Sequence, residues 1–543
     1  MSVFGLLFAG RFEMLIASFS VGYLFMFLPV ALLAYGLAPQ RARRGVLLLT
    51  SYLFYWLVSG QLVVYLLFST LSAHHFGLWM DRLHDARDAA LKEAPKPERK
   101  ALRAVWKRRT NAVAALAVVL HAGTLLLLKY SGFFLGNVNS LLELAGVSAR
   151  FKIPVFLQPI GISFFTLQAL AYILDVCRGT RRADDNVLRL ALFMAFFPQI
   201  VEGPICRYQD TAERLWEAPP IRFENLKLGG ERVLYGMMKK LVVADRLNQM
   251  VKAIFESPDQ FGGGMILLGA VCYTAQLYMD FSGSMDAVCG VAQMYGVAMP
   301  ENFKRPFFAR TISEFWQRWH ITLGAWLRDY LFYPISTSGP MKSLTLSARK
   351  RLGNHYGPLL AGSVALLCVW LCNGLWHGAG WNYIFFGLYH FALILGGSLI
   401  APPARALCDK LRIDTAGWGW RIAQTLRTCA LVVIGELFFR AEGLAKGLYM
   451  FGRIFTDFSF NVAKGMPKLM KIDAQDYGIA LVTLLIVLVV GVINEKGHSV
   501  RAWLEARPRA VRWAMLYALI LFIVIFGAYG HDYEEVIPLY ANF

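Results

Sequence analysis

The sequence predicts an all-α integral membrane protein: a polytopic bundle of about eleven transmembrane helices, judged by span length, with re-entrant and interfacial helices. Three observations carry that reading. Of 543 residues, 57% are hydrophobic and only 17% charged, against about 25% charged in soluble domains. Apolar runs of about 20 residues, enough to cross a hydrocarbon core as a helix, recur along the chain. Backbone inside lipid must satisfy its own hydrogen bonds, which leaves helices or closed barrels, and runs of this length select helices.

The clearest spans are 14–37, 112–128, 153–176, 359–376, 381–399, 422–439, 479–492 and 513–526. The stretch 46–79 is too long for one straight span and should break near Ser59-Gly60-Gln61. Residues 188–201 are short and contain Pro198, as a half-membrane element would. Residues 265–299 carry Asp280 and Asp286 and are expected to form two helices with a bend at Gly283. Between spans, 81–109 should be a helix pair broken at Pro95 and Pro97, within a basic cytoplasmic loop over 80–110. The amphipathic stretches 221–252 and 302–334 fit helices lying in the membrane interface. No soluble domain and no internal repeat separates the spans, so residues 1–543 are expected to form one membrane domain.

The net charge is +19. Its lysines and arginines fall in short clusters between spans, such as 41–44, 178–182, 348–351 and 501–512. That is the positive-inside pattern of a cytoplasmic membrane protein, and nucleic acid is not a partner it implies. The N-terminus lacks the features of a cleaved signal, so the first helix is expected to stay. The acidic tail HDYEEVIPLYANF is expected outside. The eight cysteines sit mostly in apolar runs and suggest neither a disulfide framework nor a metal site.

Ionisable groups inside a membrane are costly and tend to mark pathways or active sites. His377 is the leading one, closing an apolar run and followed at once by Gly378-Ala379-Gly380, which would end the helix where a cavity tolerates a break. Asn373, four residues earlier, would share its face. The competing reading makes His377 a helix end at the interface, with Trp376 and Trp381 as belt residues. His390, in the next span, is expected to have a structural partner. His320 lies in EFWQRWH, where Arg318 and Arg328 suit a phosphate, a carboxylate or Asp329. In YMDFSGSMD, Asp280, Ser282 and Asp286 suit either a hydroxyl-rich ligand or ion pairs with another helix. The chain has no GxSxG elbow, HExxH or Walker loop. A histidine with its ordinary pKa near 6.5 beside a wet cavity can still take a proton from an alcohol, which suits acyl transfer from a thioester to a hydroxyl. Cys372 permits a variant through an acyl-cysteine.

Several segments together resemble the membrane-bound O-acyltransferase family, in its bacterial branch of alginate O-acetylation and teichoic acid D-alanylation proteins. They are PIGISFFTLQALAYILDVCRG, FFPQIVEGPICRY, MDFSGSMDAVCGVAQMYG, RPFFARTISEFWQRWHITLGAWLRDYLFYP, NGLWHGAGWNYIFFGLYH and FFRAE, in order between 159 and 442. The resemblance implies a ring of helices around a thinned centre, with His377 and His320 as the catalytic pair and Asn373, Asp280, Ser282, Arg318 and Trp376 as substrate-binding positions. It implies no bound cofactor or metal, and a thioester donor as substrate, acetyl-CoA or an acyl carrier protein. It also implies a bacterial inner-membrane location, a polysaccharide acceptor or an extracytoplasmic relay protein outside, and transfer of acetyl groups. D-alanyl transfer to teichoic acid and a transporter or flippase with a His/Asp pathway are the alternatives. DFSGSMD departs from the branch's DFSGYSD, and PLYANF from its aromatic-rich ending.

Overall fold

The computed structural model describes residues 20, 22–466, 470 and 472–529, so the acidic tail and the first part of the 14–37 span lie outside the described residues. Regular structure there is helical, apart from two isolated bridges. Among the described residues, eight helical segments are long and apolar enough to cross a membrane, joined by a shorter apolar helix at Tyr23–Leu37. The chain is a multi-pass membrane protein. Its contacts divide into two compact units, one of residues up to 230 with 288–300, the other of 231–287 and 301 onward.

The first unit begins with α1 (Leu28–Leu37) and α2 (Gln40–Ser59). The break expected near residue 60 is present, where Gly60 takes φ +56° and a single turn leads into α3 (Val63–Glu93). The proline-broken pair is also present, as α3 gives way to α4 (Arg99–Leu144). Against these pack α5 (Ile162–Arg178) and α6 (Val187–Ala195), followed by α7 (Tyr208–Glu217). Helix α5 is buried on nearly every face, the signature of a helix apolar all round.

In the second unit the sequence reading needs two corrections. Residues 263–294 form one helix rather than two. The chain runs through α8 (Phe223–Met237), a π-helical turn at Met238–Ala244, α9 (Asp245–Glu256) and α10 (Gly263–Met294). Gly283 does not bend α10. A Cβ there would stand 2.8 Å from the Gly236 carbonyl oxygen, so the missing side chain serves close helix contact. Nor does 221–252 lie flat in the interface, because Lys239, Lys240 and Arg246 are all buried. Carboxylates make that possible. Lys240 reaches Asp245 at 2.7 Å and Asp280 at 2.8 Å, and Lys239 reaches Asp286 at 2.6 Å. Arg246 pairs with Asp476. Burial alone would lower the Lys240 pKa, but Asp280 and Asp245 more than offset it and hold the ammonium charged.

After α11 (Ile312–Arg318), α12 (Ile321–Leu327) and α13 (Tyr333–Ser336), two long helices meet at a sharp turn. These are α14 (Gly339–His377), kinked at Gly353, and α15 (Trp381–Lys410). They pack closely because a Cβ at Gly374 would fall 2.3 Å from the Tyr383 oxygen, and one at Gly387 2.3 Å from the Trp370 oxygen. α16 (Trp418–Arg440) packs on α15, and α17 (Leu444–Thr456) on α16. α18 (Ala474–Glu495), α19 (Val500–Glu505) and α20 (Arg509–Phe526) complete the unit. Ala480, Val487 and Ile523 of α18 and α20 join Val242 and Met279 in one apolar cluster.

Lys240→Met should strand two buried carboxylates and cost about 3–5 kcal/mol, read as a lower unfolding midpoint in detergent. Arg328→Met, whose partner Asp329 forms a largely exposed pair with it, should cost no more than about 1 kcal/mol. Equal losses in the two variants would contradict the role assigned to the buried pairs.

Candidate active site

The Gly378-Ala379-Gly380 break falls where the sequence placed it: α14 ends at His377 and α15 starts at Trp381. His377 is 3% exposed and Asn373, one turn earlier, is buried beside it on α14. Three aromatic rings surround the imidazole: Trp376 at 4.9 Å, Phe439 of α16 at 5.1 Å and Phe386 of α15 at 6.0 Å. Asn382 clamps the end of α16 to α15 by donating to the carbonyls of Phe439 and Ala441.

His320 joins the same cluster. Trp376 lies 5.5 Å from its ring, so both histidines pack against the same indole. Phe281 covers His320 at 4.9 Å. The backbone at His320 is strained, with φ +47°, a region non-glycine residues enter at a cost of about 1–3 kcal/mol. An antiparallel bridge between Phe303 and Trp319 holds it there, with Lys304 N–H donating to Arg318 and Ile321 N–H to Asn302.

Asn302 is the site residue that the sequence reading missed. Its Oδ1 accepts from the Thr322 backbone N–H at 3.1 Å and the Thr322 hydroxyl at 2.8 Å, which fixes that atom as the oxygen. His320 Nδ1, 3.3 Å away, must then be the N–H donor. Burial holds the ring neutral, its pKa pushed down to about 3. His320 is therefore oriented with Nε2 as an acceptor. Nothing in the sequence spacing joins residues 302 and 320; only the polar start of the 302–334 stretch offered a signal.

His390 has the structural partner expected of it. Trp316 Nε1–H donates to His390 Nδ1 at 3.2 Å, and Trp370 stacks on the ring at 5.5 Å. A second residue missed in the sequence is Glu436, buried in α16 with Oε2 lacking a hydrogen-bond partner among the described residues. It lies one turn from Phe439, and a lone acid inside an apolar span was the available signal. Asp280 and Ser282 face the lysines, Ser282 accepting from Lys239 at 3.3 Å. Arg318 pairs with Glu314 at 2.7 Å and Glu495 at 3.0 Å, while Asp329 is taken by Arg328. Cys372 is exposed, turned away from the buried Asn373 and His377.

The sequence reading placed His377 beside a wet cavity. In the structure both histidines are enclosed by aromatic rings, and neither lines the cavities bounded by Trp216, by Phe307 or by Trp420.

Two buried histidines packed on one indole within a multi-pass helical bundle, His377 at a helix break and His320 oriented by Asn302, mark a membrane protein with a functional site inside the bundle. The chain belongs to the membrane-bound O-acyltransferase family and is an O-acyltransferase. That family's sequence profile matches residues 156–348. A probable alginate O-acetylase, AlgI, of Pseudomonas syringae is 32% identical over 435 residues, 80% of this chain and 74% of its own. A peptidoglycan O-acetyltransferase of Helicobacter pylori is 27% identical over 68% of each chain. A teichoic acid D-alanyltransferase of Bacillus subtilis is 28% identical over 43% of this chain and 58% of its own.

Asn302→Leu should leave the Thr322 donors unsatisfied and free the His320 ring. We expect turnover to fall about 10²-fold, the scale of a misplaced reacting group, with KM changed less than kcat. Unchanged kcat would show that His320 needs no such orientation.

Proposed function

We propose that this protein moves an acetyl group from a cytoplasmic thioester to hydroxyls of an extracytoplasmic polysaccharide, directly or through a relay protein, in the bacterial inner membrane. The observation that carries the reading is the packing of His377 and His320 against Trp376. Support for acetyl over D-alanyl comes from the similarity figures, since the O-acetylase of Pseudomonas syringae matches 80% of the chain and the D-alanyltransferase of Bacillus subtilis 43%.

In the reaction His377 takes the proton of the acceptor hydroxyl as its oxygen attacks the thioester carbonyl. The C–S bond breaks, the acyl group passes to oxygen, and the departing thiolate is protonated by the imidazolium. Thiol and ester are the products, and no oxidant or covalent enzyme intermediate is required. His320, neutral and held by Asn302, offers Nε2 as a hydrogen-bond acceptor near the same indole. Asn373 presents a buried side-chain oxygen with no hydrogen-bond partner among the described residues. Buried acceptors are usually satisfied, and an acceptor hydroxyl would satisfy this one. The donor is acetyl-CoA or an acetylated carrier protein, used as substrate. Asp280, Ser282 and Arg318 serve the reading through structure, since their partners are protein charges.

His377→Ala should lower thioester turnover by about 10²–10⁴-fold at unchanged expression, measured with a radiolabelled acetyl thioester and purified protein. Turnover surviving that change would sink the general-base assignment. Cys372→Ser should keep full activity, and loss of activity there would restore the acyl-cysteine route.

A further inference from the structure

The first unit contains a cavity of about 860 Å³ that the catalytic reading does not use. Five arginines line it: Arg41 and Arg44 from α2, Arg189 from α6, Arg214 from α7 and Arg222 from the segment after α7. Two glutamates, Glu213 and Glu217, are the acids in its lining. Glu217 is occupied by Arg214 at 2.7 Å, and Arg189 leans on Asp184 at 3.4 Å. Arg41, Arg44 and Arg222 form no ion pair among the described residues. Trp216 also lines it, with the Arg44 guanidinium 4.8 Å and that of Arg189 5.8 Å from its ring.

Like-signed guanidiniums around one cavity repel one another, an effect that solvent screens at the exposed Arg41, Arg44 and Arg222. Arg41 and Arg44 occupy the start of α2, and Arg189 the first turn of α6. A helix N-terminus carries partial positive charge and disfavours cations. Like charges gathered from three helices and the segment after α7 add their own repulsion. A basic loop under the positive-inside rule needs only a count of charges on one side, whereas here separate helices aim guanidiniums into one concave space. A multivalent anion relieves each of these costs, and guanidiniums are the groups best shaped to take phosphate oxygens. The volume is within the range of about 300–1,000 Å³ typical of small-molecule sites.

We propose that this cavity binds a phosphate-bearing ligand, with Arg41, Arg44 and Arg222 as its main contacts. Two sources offer that chemistry on the side where basic loops lie: the nucleotide phosphates of a coenzyme A thioester and the headgroup of an anionic phospholipid. The nucleotide source rests on the thioester reading given above.

The test uses the full-length protein, wild type against Arg41→Gln/Arg44→Gln/Arg222→Gln. These side chains are exposed at the cavity rim, so the triple variant should purify normally. In neutral detergent, adenosine 3′,5′-bisphosphate is titrated by calorimetry. In nanodiscs with and without phosphatidylglycerol, retained lipid is counted by native mass spectrometry. We expect the triple variant to bind the bisphosphate at least about tenfold more weakly, the loss of one charge-assisted hydrogen bond or more, and affinity to fall with salt. If only phosphatidylglycerol retention drops in the variant, the site stands and the lipid is its ligand. Wild type and variant behaving alike toward both probes overturns the site. His377→Ala should bind as wild type does. Phosphate binding without any thioester turnover would overturn the acyl-transfer reading and leave this one intact.

Discussion

Everything near the active site depends on matching buried charge inside a low-dielectric protein. An uncompensated ion there costs several kcal/mol, so Lys240 can be buried only because Asp245 and Asp280 meet it. That pairing fixes the rotation of α10 against the 238–244 turn. The residue after Asp280 is Phe281, which covers the His320 ring. Asp280, which the sequence left open between a ligand and an ion pair, thus helps hold an aromatic wall against an imidazole.

The two histidines reach the same enclosure by different physics. His377 is placed by a helix end: α14 and α15 cross closely at Gly374 and Gly387, and the break after residue 377 leaves the ring among Trp376, Phe386 and Phe439. His320 is placed by strain, a left-handed backbone locked by a two-segment bridge and by Asn302. A strained residue over-determined by its surroundings is a reasonable mark of function. Enclosure strengthens every electrostatic contact to a reacting group.

Cations appear in this chain in three physical roles. Lys239, Lys240 and Arg246 are interior and neutralised by carboxylates. Arg318 and Arg305 share Glu495 near the end of α18. Arg41, Arg44 and Arg222 line one cavity and form no ion pair among the described residues. The first two kinds hold the fold, and the third is a charge arrangement that folding alone does not require.

Apolar run length by itself determined the class of fold, because a helix must span a fixed thickness and no other open backbone survives in lipid. Proline and glycine placed the breaks at 60, at 95–97 and after His377, since those residues act on their own backbone. His377, Asn373 and His320 were legible because polar groups stand out against an apolar background. What the sequence misplaced were matters of partnership. It split α10 at Gly283 and laid residues 221–252 on the surface, because composition does not say that Gly283 will meet Gly236 or that Lys240 will meet Asp280. Asn302 and Glu436 stayed hidden for the same reason. A side chain's role inside a protein is set by what lies opposite, and only the tertiary structure brings residues 302 and 320, or 377 and 439, to within one ring of each other.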